Sequence, residues 1–246
     1  MKNTQHYAVV LLLSMVIFAS CKKTKQKDKE EEAYVCTTCS QTPQGAAAND
    51  NSSKGIYKGV VIGSSGTIKF DIANTSSNSI TAVLIIDGVS VNLTTTYTWS
   101  AGGIQAAPFK GTLNGQEITI NFSVGADGTG ATIVSSTIPG HPNAIFSLAK
   151  ETSTALARCY EGTYTTSDNE SGTFNIIVST LLKGWTGKSR ENGSSQTTDI
   201  SGSYVNDKLY WGSGTNVEIA TMSGDSFTGT FNDGSANVTV KGKRTL

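Results

Sequence analysis

The feature that most constrains this chain is the alternation of apolar and polar residues at a period of two. Ile118-Thr-Ile120-Asn-Phe122-Ser-Val124 runs without a break, as do Ile68-Lys-Phe70-Asp-Ile72, Val89-Ser-Val91-Asn-Leu93 and Val238-Thr-Val240. Successive side chains of a strand point to opposite faces, so such runs bury one face and wet the other. Asp87-Gly88, Asn114-Gly115, Asp127-Gly128, Asn192-Gly193 and Asp233-Gly234 punctuate the runs. These dipeptides accept positive φ at both turn positions, which matches the twist of the flanking strands. Short strands between tight turns predict an all-β, antiparallel meander. Residues 149–158 are the one helix-like stretch, read as a connector with room for a single helical turn.

The meander occurs twice. Tyr57-Lys-Gly59, then Gly66-Thr67, reappears as Tyr160-Glu-Gly162, then Gly172-Thr173. The offsets are 103 residues (57 to 160) and 106 (66 to 172), a difference that one hairpin loop absorbs. Phe109-Lys-Gly-Thr-Leu-Asn114 mirrors Phe227-Thr-Gly-Thr-Phe-Asn232 at the looser offset of 118, either an equivalent position or a recurring strand type. A period of this size predicts a duplicated domain rather than a solenoid. The expected organisation is residues 55–150 and 159–246 as two β-meander units. Each would be a small barrel or sandwich of about eight strands, large enough to fold alone.

The first residues read as an export signal over residues 1–20. Lys2 is followed by an apolar run over residues 8–18, shorter than the ~20 residues a spanning helix needs. Phe18-Ala19-Ser20-Cys21 resembles the bacterial lipobox, with Phe18 where that pattern has Leu, Val or Ile. The resemblance implies cleavage before Cys21, lipidation of its thiol and anchoring to a membrane. Residues 22–32 carry five lysines and four acids, and residues 40–54 are small and polar. Neither can bury enough apolar surface to offset its ordering entropy, so residues 21–54 are expected to form a flexible, disordered tether.

Tyr160-Glu-Gly-Thr-Tyr164, Ile200-Ser-Gly-Ser-Tyr204 and Phe227-Thr-Gly-Thr-Phe231 resemble bacterial envelope domains with repeated [FY]-x-G-[ST]-[FY] strands. From the lipobox onward the chain resembles uncharacterised Bacteroidota envelope lipoproteins. That likeness implies a fold and an outer-membrane address, on either face of the membrane, and no activity. The Gly-Thr and aromatic strands also have the flavour of streptavidin-like barrels, without a residue-by-residue match to a biotin pocket.

Chemistry-bearing motifs are sparse. Lys plus Arg (19) equals Asp plus Glu (19), so no net field attracts nucleic acid. The mature chain has one histidine, His141, in Pro139-Gly-His-Pro142, a rigid and exposed turn with no Gly-x-Ser-x-Gly elbow to partner it. Gly187-Lys188-Ser189 lacks the glycine a phosphate-binding loop needs five residues earlier, where Leu182 stands. Cys36-Thr-Thr-Cys39 supplies too few ligands for zinc, and a tether lacks the strand-to-helix junction of a redox pair. In the oxidising envelope a disulfide is favoured. The local Cys36–Cys39 bridge with Cys159 as a buried thiol is preferred, and a bridge from either to Cys159 is the alternative. Trp99, Trp185 and Trp211 are either core or ligand-contact aromatics; of Tyr210 and Trp211, which face opposite ways, one is expected to be partly exposed.

Two function classes follow. The first is a membrane-anchored, non-enzymatic binding or structural module for a protein, glycan or small apolar ligand, without cofactor or metal. The second is an envelope hydrolase using loop carboxylates. An interior cavity holding two carboxylates would favour the second, and a filled barrel would oppose it.

Overall fold

The computed structural model describes residues 33–75 and 78–246; the export signal, Cys21 and residues 22–32 lie outside the described residues. The first eight strands are β1 (Gly55–Ile62), β2 (Gly66–Ile72), β3 (Ile80–Ile86), β4 (Val89–Thr94), β5 (Ile104–Leu113), β6 (Gln116–Val124), β7 (Thr132–Thr137) and β8 (Ile145–Glu151). The second eight are β9 (Ala157–Thr166), β10 (Ser171–Ser179), β11 (Gly184–Glu191), β12 (Thr198–Val205), β13 (Lys208–Trp211), β14 (Glu218–Ser223), β15 (Ser226–Asn232) and β16 (Asn237–Arg244).

Each set is an antiparallel meander whose first strand also pairs with its last. Tyr57 on β1 lies opposite both Phe70 and Lys150. Tyr160 on β9 lies opposite both Ile176 and Arg244. In the second set every neighbour is paired and the barrel is closed. In the first the ladder stops between β7 and β8, leaving a nearly closed barrel with one seam. The duplicated marks occupy matching places: Tyr57 and Gly59 on β1, Tyr160 and Gly162 on β9. The looser repeat does not, because Phe109 lies on the fifth strand of its unit and Phe227 on the seventh. It is a recurring strand type.

Turn chemistry follows the sequence in part. Asp87-Gly88 (φ 46° and 78°) and Asn114-Gly115 (49° and 80°) are two-residue hairpins with both positions left-handed. In the other three dipeptides only the glycine has positive φ. Asn206-Asp207 makes the β12–β13 turn with φ of 50° and 59° and no glycine; short polar side chains tolerate that region.

Two expectations are corrected. Residues 149–158 contain no helix: Ala149, Lys150 and Glu151 pair with Lys58, Tyr57 and Ile56, and β9 starts at Ala157. The ladder to β1 claims these residues before a helical turn can form. The tether expected over residues 21–54 is not a tether from residue 33 onward. Polar residues there find partners in the barrels: Gln44 N–H donates to Glu151 (2.7 Å), Ala46 N–H to Asn74 (2.9 Å), and Asp50 accepts from Ser153 N–H (2.8 Å). Ordering is offset by hydrogen bonds and desolvation at positions far away in sequence, which composition does not reveal.

The first barrel is filled. Tyr57, Phe70, Phe109 and Phe122 form an aromatic cluster with centroids 4.5–6.2 Å apart, all fully buried. In the second, Tyr160, Phe227, Phe174 and Trp185 make a column at 5.9–6.0 Å spacings. Inward-facing glycines make room for these rings. Gly162 and Gly242 are paired across β9 and β16 directly beneath Phe227, and a Cβ on Gly242 would lie 2.4 Å from a Phe227 ring carbon.

The barrels share a buried interface. All eight residues of β1 are buried, with Tyr57 and Val61 in the first barrel's core and Val60 and Ile62 packing on Ala157, Cys159 and Ile177. Lys58 pairs with Glu151 at 2.6 Å, both fully buried, and Glu151 also accepts the Ala157 N–H (3.0 Å). Asn175 donates to Val61 O across the interface (2.7 Å). Removing one partner of such a buried pair costs about 3–5 kcal/mol, so Lys58 and Glu151 hold β1 to β8 within the first barrel, while the Glu151–Ala157 and Asn175–Val61 hydrogen bonds cross to the second.

Gly242→Ala is expected to lower unfolding stability by about 1–3 kcal/mol, the cost of overpacking a close-packed core. Equilibrium denaturation measures it. Gly88→Ala, in open space at φ 78°, tests backbone strain alone, and pairing Gly242→Ala with Phe227→Leu should recover part of the loss.

Candidate functional site: the mouth and floor of the second barrel

Alternate turns of a meander barrel lie at the same end. At one end of the second barrel lie the β10–β11, β12–β13 and β14–β15 turns and the end of β16. The N-terminal segment closes this floor. Cys36 N–H donates to Asp225 Oδ2 (2.9 Å), Tyr34 OH donates to Arg244 O (3.1 Å), and Asp225 N–H donates to Tyr34 O (2.9 Å). Arg244, 1% exposed, is the hub. It contacts Asp225 (3.2 Å), Gln41 (3.3 Å), the C-terminal Leu246 O (3.2 Å) and Ser40 O. Burial raises the Asp225 pKa, but the Cys36 amide and the Arg244 guanidinium outweigh it and hold the carboxyl below its ordinary value. Cys36 and Cys39 are joined by a disulfide and buried against this floor. Cys159 is a free thiol, fully buried, its pKa pushed up to about 12 by burial, which makes it inert.

The opposite end is open. A cavity of about 380 Å³ is lined by Tyr164, Phe174, Ile200, Trp211, Phe231 and Val238, with Thr166, Glu170, Ser189, Val217, Asn232 and Asp233 toward the rim. These residues come from the C-terminal ends of β9, β11, β13 and β15, the N-terminal ends of β10, β12 and β16, and the turns between. Trp211 is 46% exposed and continues the aromatic column, 6.2 Å from Trp185 and 6.3 Å from Phe231. Trp185 is 2% exposed and donates to Tyr210 O (3.1 Å), so it belongs to the barrel core rather than to a surface contact. Trp99 is half-buried in the first barrel, donating to Ser53 Oγ (2.9 Å) with Lys54 4.2 Å above its ring.

The mouth is acidic. The turns that form it, residues 166–171, 191–198, 211–218 and 232–237, hold five acids (Asp168, Glu170, Glu191, Glu218, Asp233) and no Lys, Arg or His. Glu218 is paired with Lys208 (2.6 Å). Asp233 Oδ1 accepts from Ser235 N–H, Ser235 Oγ and Ala236 N–H, each at 2.8 Å, and these bonds lower its pKa. Tyr164 has its pKa raised, first by burial and then by Glu191 and Glu170. The floor is mixed in charge, with Lys183, Lys208, Lys243 and Arg244 beside Asp207 and Asp225. Summing charge over the mouth turns alone would have found its acidity in the sequence.

His141 is not the exposed residue its turn suggested. Its side chain is largely buried, with Ser64 Oγ 2.7 Å from Nδ1 and Asp87 Oδ2 3.8 Å from Nε2. The three residue types of a hydrolytic triad therefore meet, but Ser64 donates its only proton to Asp87 Oδ1 (2.9 Å). Nδ1–H must then donate to Ser64, so the imidazole is not set to take the serine proton. The cluster ties three turns together. No family model, curated protein or solved structure matches this chain.

The floor pair gives a pH dependence. Asp225 has a lowered pKa when folded, so its stabilisation is complete above the ordinary value of 3.8 and is lost as pH falls below it. Denaturation measured across this range should show a steeper acid loss in the native chain than in Asp225→Asn. Equal slopes would mean that Asp225 does not hold the floor.

Proposed function

We propose that this protein is a membrane-anchored envelope lipoprotein whose second barrel binds a small ligand at its mouth. The observation that carries the binding half is the aromatic cavity of about 380 Å³ above a plugged floor. Binding sites are concave, mostly apolar and furnished with few polar groups, and this cavity has that character. The first barrel, filled by its own rings, supports it as a scaffold.

The anchor half rests on Cys21 in the lipobox-like Phe18-Ala19-Ser20-Cys21. The described chain begins at Ala33, against Gly224 in the β14–β15 turn of the floor. Residues 22–32 can span at most about 40 Å when extended. The floor, with its lysines and the exposed Leu181 and Leu182, is then the end next to the bilayer. Each lysine near an anionic surface contributes about 1 kcal/mol. The mouth faces away from the membrane.

A hydrolase reading has one observation in its favour: Glu170 and Asp233 line the same cavity. Glycoside hydrolysis needs one carboxyl kept protonated. Asp233, held ionised by three hydrogen bonds, cannot supply it, so Glu170 would have to. Turnover of nitrophenyl glycosides that vanishes in Glu170→Gln would replace binding by catalysis.

Two experiments test the proposal. Cys21→Ser should move the protein from the membrane to the soluble fraction and abolish labelling by radioactive palmitate; a variant that stays with membranes places the anchor elsewhere. The neutral apolar probe N-phenyl-1-naphthylamine should bind and gain fluorescence. Trp211→Ala should weaken it at least about tenfold, roughly 1.4 kcal/mol. Unchanged probe affinity in Trp211→Ala would remove the mouth as the binding site.

A further inference from the structure

The mouth combines three properties that together select a ligand class. Its inner wall is apolar and aromatic, with the indole of Trp211 and the rings of Tyr164 and Phe231 among the groups that line the cavity. Besides Glu218, which pairs with Lys208, its rim carries carboxylates that no described cation pairs with. The Glu170 and Glu191 side chains make no hydrogen bond or ion pair among the described residues, and Asp233 is fixed as an anion by its own turn. Two cations on nearby strands are engaged away from these carboxylates: Lys188 pairs with Asp199, and Arg190 reaches to Asn143 O of the first barrel (2.8 Å).

We infer that the ligand of this site is an amphipathic organic cation, an ammonium group carried on an apolar or aromatic body. This rests on the binding reading given above for the same cavity. The body lies against the apolar wall of Tyr164, Phe174 and Phe231, and the cation lies between Trp211 and the carboxylates of the rim. Aromatic faces attract cations through the ring quadrupole, and the attraction strengthens where water is partly excluded. A rim of one sign over low-dielectric walls focuses the field and raises the local cation concentration. The same charges repel a carboxylate-bearing lipid or acidic sugar, which would find no basic partner among the lining residues. A wall so rich in rings and so poor in amide side chains also suits a ring or chain better than a polyhydroxylated neutral sugar, whose hydroxyl groups each need a partner.

The test uses the full chain, released from the membrane in detergent, and three probes of matched size. These are (3-phenylpropyl)trimethylammonium, 4-phenylbutanol and 4-phenylbutyrate. Titration calorimetry should rank the cation about tenfold tighter than the neutral alcohol, with the anion weakest. Raising the salt concentration should weaken the cation and leave the alcohol unchanged. The double variant Glu170→Gln/Glu191→Gln should reduce the cation-to-alcohol affinity ratio about threefold to tenfold, and its retained binding of the alcohol shows that the barrel is folded. Trp211→Ala should weaken both the alcohol and the cation. If the alcohol binds through Trp211 but the cation shows no preference, or the anion matches the cation, the ligand class is wrong and the binding site stands. If none of the three binds, both the class and the binding site fall.

Discussion

An eight-stranded barrel encloses a lumen of nearly fixed width, and whatever the strands point inward must fill it or leave it for something else. Everything distinctive in this molecule follows from how its two copies meet that constraint. The first closes four fully buried rings on one another at its centre. The second stacks its rings along the axis instead, from Tyr160 at the floor to Trp211 at the mouth, and the stack ends before the lumen does. Glycines at 162 and 242 are the counterpart of the stack: Phe227 crosses the lumen only because no Cβ stands beneath it.

A lumen open at one end needs a seal at the other. Arg244 brings positive charge inward at the floor end, and charge at such a site is tolerated only when it is paired and hydrogen-bonded. The N-terminal segment supplies that satisfaction through Ser40, Gln41 and the Cys36 amide bound to Asp225. Further along, the same segment covers the neighbouring end of the first barrel, where Ser53 accepts from Tyr57 OH through its carbonyl and from Trp99 through its hydroxyl. One chain segment therefore lies across the same end of both barrels. The Cys36–Cys39 disulfide sits at its start, where a local staple limits the freedom of residues that would otherwise fray.

The strands were legible because their signal is local. Ile118 to Val124 alternates in sequence and alternates in the structure, and Asp87-Gly88 and Asn114-Gly115 make the turns their chemistry demands. The matching of Tyr57 with Tyr160 was legible for the same reason. The floor was not. Its residues look like a solvated spacer because their partners, Asp225 and Arg244, lie about two hundred residues away, and no local pattern encodes that pairing. Asn206-Asp207 was missed because glycine was taken as the mark of left-handed turns. The mouth was half legible: the parity of Leu209, Tyr210 and Trp211 put neighbours on opposite faces, but only the closed topology shows that Trp211 stands at an end rather than in the middle of a wall.

The duplication also divides labour around the mouth. The first barrel packs on the outer face of β9, β10 and β11, fastened by Asn175 to Val61, Arg190 to Asn143 and Glu161 to Ser65. These three strands carry Tyr164, Phe174 and Ser189, so that side of the cavity is held from behind. The other side, from β12 to β15, has no such backing. It includes the four-residue β13, a register shift between Leu209 and Tyr210, and the exposed apolar wall residues Trp211 and Val217. Local stability tracks buried contacts and intact ladders, so the free side is where this barrel can adjust. The filled barrel thus contributes to the open one by backing Tyr164, Phe174 and Ser189 on one side of the mouth, while Trp211 and Phe231 stand on the side without that backing.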